Sequence, residues 1–261
     1  MAASVTFVGN ATTVLRLGEV TLLTDPNFVP AGTRLHLGYG AFTRRLVGPA
    51  LEIPDLPTLD AVVLSHLHAD HFDGVARVGL PHDLPIVTTP QATRTLRRWE
   101  FSAVRGLPTW ESHRIERGSE AVTITAVPGR HGPGILDRLL PDVMGSVIDL
   151  ETAGERRLRL YVTGDTLMGP WLADIPRRYG DIDAMIIHLG GTKLAGVLLT
   201  MDDRQGTALT ALIQPKLTLP VHHEDYSVFT SRLGDFLARA RDRGLTGVVP
   251  IARGETLDLP S

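Results

Sequence analysis

Four side chains that can bind a metal ion lie within six positions of the sequence: His66, His68, Asp70 and His71. Imidazole nitrogen is the commonest neutral ligand of zinc, and carboxylate oxygen is a second good ligand. The chain has only 10 His in 261 residues, so three this close together are unusual. A turn can aim such closely spaced ligands at two neighbouring points. The spacing therefore indicates a metal site, and the alternative is a solvated, His-rich surface loop.

The segments on either side of this cluster favour the metal site. Residues 60–65 form an apolar run that is typical of a buried strand. Gly74 precedes a mixed stretch, residues 75–80, in which we expect a helix to begin. A strand, a turn that carries the ligands and then a helix is the arrangement in which α/β folds place their chemistry.

The sequence of residues 65–71 resembles the hallmark of the metallo-β-lactamase superfamily, which is His-x-His-x-Asp-His after a buried strand. The other ligand positions of that superfamily have counterparts further along the chain, in the same order. His131 lies in Pro-Gly-Arg-His-Gly-Pro, Asp165 follows a Gly after a predicted strand, and His222 lies at the end of a late predicted strand. The resemblance therefore covers most of the chain.

A looser resemblance connects the chain to one branch of this superfamily. That branch includes the ascorbate-phosphate-lactonase-like proteins and the phospholipase D that acts on N-acyl phosphatidylethanolamine. The similar segments are Gly-Asn-Ala-Thr-Thr-Val-Leu at 9–15, Leu-Thr-Asp-Pro at 23–26, Gly-Gly at 190–191, Thr-Met at 200–201 and Pro-x-His at 220–222. This resemblance does not point to one substrate.

The superfamily resemblance implies an α/β fold, a four-layer αββα sandwich, which we expect to form a single domain over residues 1–261. The metal site would lie at one edge, where the two sheets meet. The resemblance also implies two divalent ions per chain, zinc in first place with manganese or iron as alternatives. The implied ligands are His66, His68 and His131 for one ion and Asp70, His71 and His222 for the other, with Asp165 bridging both. Asp70 would also be the catalytic residue that orients or deprotonates the nucleophilic water.

Three further residues lie close to these positions. The Pro-x-His pattern selects His222 over His223 as the last ligand, which leaves His223 as a wall of the site or a support for the ligands. The resemblance places Asp25 behind the cluster, where its carboxylate would hold a ligand imidazole by a hydrogen bond. His188 ends a predicted strand, and it is either a satisfied core residue or a contact of the substrate.

The composition restricts the classes of function. A net charge of −3 and 5% aromatic residues provide no basic field for nucleic acid. Because the chain has no Cys, any metal must be held by nitrogen and oxygen ligands. We find no apolar stretch of about 20 residues and no signal-peptide pattern, so we expect no membrane span and a cytoplasmic setting. The expected partner is a small-molecule substrate, and the oligomeric state stays open.

These observations favour a dinuclear metal-dependent hydrolase, in which a metal-bound hydroxide attacks a small ester, lactone or phosphoester. One alternative is a nucleic-acid phosphodiesterase of the same fold, which would need a basic surface or an added clamp domain. Another is a non-catalytic metal-binding protein. The complete set of ligand residues speaks against this last alternative.

The elements that would hold the site are less sharply predicted. Residues 27–57 are rich in Pro and Gly and read as a long irregular loop, and such loops often cover binding sites. We therefore expect either a lid in which Arg44 and Arg45 meet an anionic substrate, or a solvated loop with two ordinary arginines. Helical spacing predicts helices over 202–213 and 229–243, and residues 248–251 predict a last strand.

Overall fold

The computed structural model describes residues 3–38 and 41–260. The strands within these ranges are β1 (Ala3–Gly9), β2 (Thr12–Leu17), β3 (Val20–Thr24), β4 (Arg34–Gly38), β5 (Ala41–Arg44), β6 (Ala61–Val63), β7 (Ile86–Thr88), β8 (Val104–Gly106), β9 (Ser112–Arg117), β10 (Glu120–Pro128), β11 (Met144–Thr152), β12 (Glu155–Val162), β13 (Ala184–His188), β14 (Lys193–Leu194), β15 (Val197–Leu198), β16 (Leu217–Val221) and β17 (Thr256–Asp258). The α-helices are α1 (Gly74–Gly79), α2 (Pro90–Arg98), α3 (Leu136–Leu139), α4 (Asp174–Tyr179), α5 (Asp203–Ile213) and α6 (Leu233–Asp242). None of the helices in the described ranges is long and apolar enough to span a membrane.

Most of the strands form two large sheets. The strand order is β17-β1-β2-β3-β6-β7-β8 in the first sheet and β16-β13-β12-β11-β10-β9 in the second. Strands β3, β6, β7 and β8 are parallel to one another, and so are β12, β13 and β16. Strand β10 runs in the same direction as β12, because both are antiparallel to β11. The turns that follow these parallel strands therefore share one edge of their sheet.

Three buried apolar clusters separate four layers. In β6, Ala61 and Val63 face a cluster that lies between the two sheets, whereas Val62 faces the opposite side. On that outer side of the first sheet, Leu96 of α2 packs into a second cluster. On the outer side of the second sheet, α4, α5 and α6 supply a third cluster that includes Phe236. The predicted four-layer αββα arrangement is confirmed.

Two elements near the end of the chain differ from the predictions. Residues 248–251 form no strand, because Val248 makes only an isolated bridge to Thr218 and the last strand is β17, which pairs with β1. The helix predicted from residue 229 begins at Leu233. The residues before it are held in a turn, since the backbone N–H groups of Thr230 and Ser231 both donate to the Gly190 carbonyl.

The segment 27–57 is more ordered than its composition suggested. It contains the antiparallel pair β4 and β5 and a short 3₁₀ helix, Ile53–Asp55. Residues 39 and 40 of this segment lie outside the described ranges. The backbone N–H of Leu46 donates to the carbonyl of Asp225, which ties the segment, just after β5, to the chain that follows β16.

Arg45 is a buried structural residue of this segment. Its side chain is fully buried, with Nη1 donating to the backbone oxygen of Asn27 at 2.9 Å and Nε donating to the backbone oxygen of Val47 at 2.8 Å. Nη2 lies 3.9 Å from the Asp225 carboxylate. The prediction that Arg45 would meet a substrate is wrong, and so is the alternative of an ordinary surface arginine. Arg44 is exposed.

Candidate metal centre

The structure brings all the predicted ligand residues together at one edge of the two sheets. They lie in the turn after β6 or in the first few residues after β10, β12 and β16. All are buried except His68, which is partly exposed. Three sets of these residues place one ligand atom each within 4.8 Å of one another: His66, His68 and His131; His66, His71 and Asp165; Asp70, His71 and His222.

Three imidazoles converge in the first set. His68 Nδ1 lies 3.0 Å from His66 Nε2 and 3.1 Å from His131 Nε2. His131 Nδ1 donates to the carbonyl of Leu199 at 3.1 Å, so its Nε2 carries the free lone pair. Burial lowers the pKa of His66 and His131, and it lowers the pKa of His68 to about 4. These rings are therefore neutral at neutral pH and offer nitrogen lone pairs to a common point.

The set of Asp70, His71 and His222 combines two imidazoles with a carboxylate. His222 Nε2 lies 3.2 Å from His71 Nε2 and 3.3 Å from Asp70 Oδ2. His222 Nδ1 donates to the carbonyl of Leu189 at 3.2 Å. A carbonyl only accepts, so Nδ1 carries a proton and Nε2 is the nitrogen that His222 turns towards Asp70 and His71. Burial lowers the pKa of His222, but Asp165 and Asp70 outweigh it and raise that pKa, so a metal at Nε2 would replace a proton.

Asp165 forms a set with His66 and His71 and so adjoins both of the other sets. Its Oδ2 is 3.2 Å from His71 Nε2, and its Oδ1 is 3.5 Å from His222 Nδ1. Oδ1 is buried and has no hydrogen-bond partner among the described residues. A buried, unpaired carboxylate oxygen is costly unless it meets a positive charge. The Asp165 carboxylate is therefore placed where a cation would satisfy it.

The charge balance of the site calls for cations. Burial lowers the pKa of His71, but the carboxylates of Asp165, Asp25 and Asp70 outweigh it and hold that pKa well above its usual value. Burial raises the pKa of Asp70, but His71 and His222 outweigh it and bring the pKa to about 2. Several ionised carboxylates are thus buried together. Divalent cations would balance them, and a donor set of imidazoles and carboxylates without thiolates suits zinc, manganese or iron.

Asp25 lies behind His71, on the side away from His222. Its Oδ1 accepts the backbone N–H of Ser65 at 2.7 Å and its Oδ2 accepts the Ser65 hydroxyl at 3.0 Å. The same Oδ2 is 3.3 Å from His71 Nδ1. A carboxylate in this position fixes the tautomer and direction of a ligand imidazole. Sequence reasoning did not assign a role to Ser65, although it directly precedes His66.

His188 and His223 lie beside the ligand sets in different ways. His188 is fully buried, with Nδ1 3.3 Å from the Thr163 hydroxyl and Nε2 3.4 Å from Asp25 Oδ2. It has no exposed surface for a substrate, which favours the core role. His223 is 8% exposed, and neither of its ring nitrogens has a hydrogen-bond partner among the described residues.

Asn10 is a residue of the site that sequence reasoning missed. Its Nδ2 donates to the backbone oxygen of Asp70 at 2.7 Å, and its own backbone oxygen accepts the N–H of His222 at 2.9 Å. Asn10 therefore joins the turn after β6 to the turn after β16. Its φ of 53° is in the left-handed region, which Asn tolerates better than most residues. The Gly-Asn pair between two predicted strands was the available signal.

A cavity of about 640 Å³ adjoins the metal-ligand candidates at His68. Arg77, Trp99 and Arg138 line it, and so does His36 of β4. His36 is exposed and lies at the rim of this cavity. The segment 27–57 thus contributes one side chain to the surroundings of the site.

Comparisons with known proteins agree with this geometry. A family model described as "Beta-lactamase superfamily domain" matches residues 21–223. The UPF0173 protein YddR of Bacillus subtilis is 30% identical over 173 residues, so the match spans 63% of this chain and 63% of that protein. The UPF0173 metal-dependent hydrolase of Nanoarchaeum equitans is 20% identical over 229 residues, which are 86% of this chain and 98% of that protein.

Solved structures share the fold. An isothiocyanate hydrolase from Delia radicum gut bacteria superposes with a TM-score of 0.83 at 21% identity, over 99% of this chain and 100% of that one. A possible metal-dependent hydrolase from Veillonella parvula superposes with a TM-score of 0.82 at 24% identity, over 98% of this chain and 99% of that one.

Proposed function

The chain belongs to the beta-lactamase superfamily, whose domain model covers residues 21–223, and on this premise we propose that it is a hydrolase that uses two divalent metal ions, zinc in first place. The prediction of an enzyme of this superfamily is confirmed, because the family model matches the chain and relatives are named metal-dependent hydrolases. The proposed substrate is a small ester, lactone or phosphoester.

The observation that supports two ions most directly is the sharing of His71. It belongs to one set with Asp70 and His222 and to another with His66 and Asp165. His66 is in turn shared with the set of His68 and His131. One ion would not contact all of these buried donors, because zinc is usually held by three or four protein ligands. Two adjacent ions, with one carboxylate shared between them, would contact the whole group of donors.

Two such ions, when bound, lower the pKa of a water molecule towards neutrality and polarise the bond that is attacked. The residues of this chain then have separate tasks. His66, His68 and His131 present neutral nitrogens. The neighbouring carboxylates raise the pKa of His71 and of His222 against the effect of burial, so these two would each release a proton to become a ligand. Asp25 accepts a hydrogen bond from His71 Nδ1 and keeps His71 Nε2 directed towards Asp70 and Asp165.

Asp70 is best suited to orient the water. With a pKa of about 2 its carboxylate is ionised at neutral pH, so it accepts a hydrogen bond from water but is a weak base. An efficient general base would have a pKa closer to the working pH. Asn10 fixes the backbone of Asp70 through the 2.7 Å hydrogen bond to its carbonyl, which keeps the carboxylate in place.

Elemental analysis combined with an activity panel tests this proposal. Zinc-loaded protein should hold about two ions per chain. It should hydrolyse at least one member of a panel of lactones, aryl esters, phosphodiesters and an RNA oligonucleotide, lose that activity with a chelator and regain it with zinc. Fewer than one ion per chain would contradict the metal centre. Two ions without hydrolysis would point to the non-catalytic alternative, and cleavage of RNA alone would point to a nucleic-acid phosphodiesterase.

A further inference from the structure

The cavity beside His68 has the size of a small-molecule site. Its volume of about 640 Å³ is within the range of ligand pockets, which is about 300–1,000 Å³. Its walls come from the turn after β6 and from side chains of α1, α2 and α3. A molecule in this cavity would therefore have one end at the metal-ligand candidates and the other end among these helices.

The charged side chains of the cavity are mainly cationic. Arg77 and Arg138 are both exposed and line it, and neither forms an ion pair with a residue that the structure describes. The lining also includes the carboxylate of Asp73, which is only 2% exposed. Its oxygens accept the backbone N–H groups of Val29 at 2.6 Å and Ala76 at 2.8 Å, among others. Because backbone N–H groups already bind the Asp73 carboxylate, the guanidinium groups of Arg77 and Arg138 remain available to bind an anion.

The same cavity has an apolar wall. The guanidinium of Arg77 lies over the ring of Trp99, 4.7 Å from its centroid, and Trp99 stacks on Phe72 with ring centroids 6.1 Å apart. Leu67 and Leu140 complete this side of the lining. The Trp99 ring fixes the position of Arg77, because a cation over an aromatic face is held by the ring quadrupole. The cavity thus combines a positioned positive charge with an apolar surface.

We propose that the substrate carries a negative charge outside the bond that is hydrolysed, and that Arg77 and Arg138 bind this anionic group while Trp99 contacts an apolar part. This substrate class rests on the proposed function, because it places the reacting bond beside His68. Guanidinium groups match the oxygens of carboxylates and of phosphates in two-point geometry. The group that these arginines would bind is therefore an oxyanion, and experiment must distinguish a carboxylate from a phosphate.

Steady-state kinetics with a matched pair of aryl esters test the specificity. Mono-4-nitrophenyl glutarate is anionic, and 4-nitrophenyl valerate is neutral and of similar length. For the zinc-loaded protein, we expect Arg77→Gln and Arg138→Gln each to lower the ratio of kcat/KM for the anionic ester to kcat/KM for the neutral ester by about tenfold, the size of one charged hydrogen bond. Arg94→Gln is the matched control, since Arg94 is exposed on α2 but does not line the cavity.

Calorimetric binding of probes that are not hydrolysed gives a second readout. The probes are benzylphosphonate, phenylacetate and the neutral benzyl alcohol, titrated into zinc-loaded wild type, Arg94→Gln and the double variant Arg77→Gln/Arg138→Gln. We expect the double variant to bind at least one of the two anions at least tenfold more weakly, and Arg94→Gln to bind like the wild type. The anion that loses more affinity identifies phosphate or carboxylate as the preferred group.

The outcomes separate this inference from the proposed function. Unchanged anion affinity in the double variant, with an unchanged ester ratio, would overturn the anion site while hydrolysis itself stood. Loss of anion affinity in the double variant, without hydrolysis of any ester or lactone, would leave the anion site standing and count against the hydrolase.

Discussion

His222 donates a hydrogen bond from Nδ1 to the backbone oxygen of Leu189, over a distance of 3.2 Å. This contact places a proton on Nδ1 and leaves Nε2, which faces Asp70 Oδ2 at 3.3 Å, as the nitrogen that can bind a metal. The ring of the next residue, His223, has no such partner among the described residues and belongs to none of the metal-capable sets found there. The contact to Leu189 therefore distinguishes two adjacent histidines that look alike in the sequence.

We predict that His222→Ala loses one of two zinc ions and that His223→Ala keeps both. The physical reason is that, of the two, only His222 directs a ring nitrogen towards Asp70 and His71. Zinc per chain, measured by mass spectrometry after extensive dialysis, checks this. If His223→Ala lost an ion and His222→Ala did not, the choice of the last ligand would be wrong.

We predict that Asp70→Asn folds normally but turns over substrate at least about a hundredfold more slowly, as expected when a group that positions the attacking water is lost. The amide keeps the shape of the side chain, and the backbone carbonyl still accepts from Asn10. Circular dichroism checks the fold, and initial rates with the best member of the substrate panel check the turnover. Near-normal hydrolysis would remove Asp70 from the mechanism.

The metal-ligand candidates could be found from the sequence because each one is marked locally. His66, His68, Asp70 and His71 fall in one short turn, and Asp165 and His222 follow apolar runs that were recognisable as strands. Parallel strands end at a common edge, so residues that follow them must come together.

The residues that support the site could not be found in this way. Asn10 contacts Asp70 across 60 positions, and Arg45 contacts Asp225 across a larger separation, so no local pattern reports either contact. Arg77 and Arg138 look like ordinary solvated arginines until the fold places them on one cavity. A single sequence does not distinguish an arginine that is buried from one that is exposed to solvent or one that lines a site.

We predict that Asp25→Asn weakens zinc binding by about ten- to a hundredfold, the usual effect of changing a group that orients a ligand imidazole. The substitution keeps an acceptor for the Ser65 N–H but removes the charge that lies 3.3 Å from His71 Nδ1. Competition with a fluorescent zinc chelator measures the affinity. Asp149→Asn is the control, because Asp149 pairs with Arg159 and contacts none of the ligand candidates. Equal zinc affinity in Asp25→Asn and wild type would contradict the orienting role.

The last prediction concerns the two adjacent arginines of the segment 27–57. Arg45→Ala should lower the free energy of unfolding by about 3 kcal/mol, because it leaves the buried acceptors of Asn27 and the partly buried carbonyl of Val47 without their donor and removes a cation from beside Asp225. Arg44→Ala should change it by less than about 0.5 kcal/mol, since Arg44 is exposed.

Urea denaturation followed by tryptophan fluorescence measures both variants. The loss of stability in Arg45→Ala should persist in chelator-treated protein, because the Arg45 contacts do not include any of the metal-ligand candidates. Equal stability of the two variants would mean that the buried contacts of Arg45 contribute little. A loss confined to the zinc-loaded protein would instead mean that Arg45 acts through the metal centre.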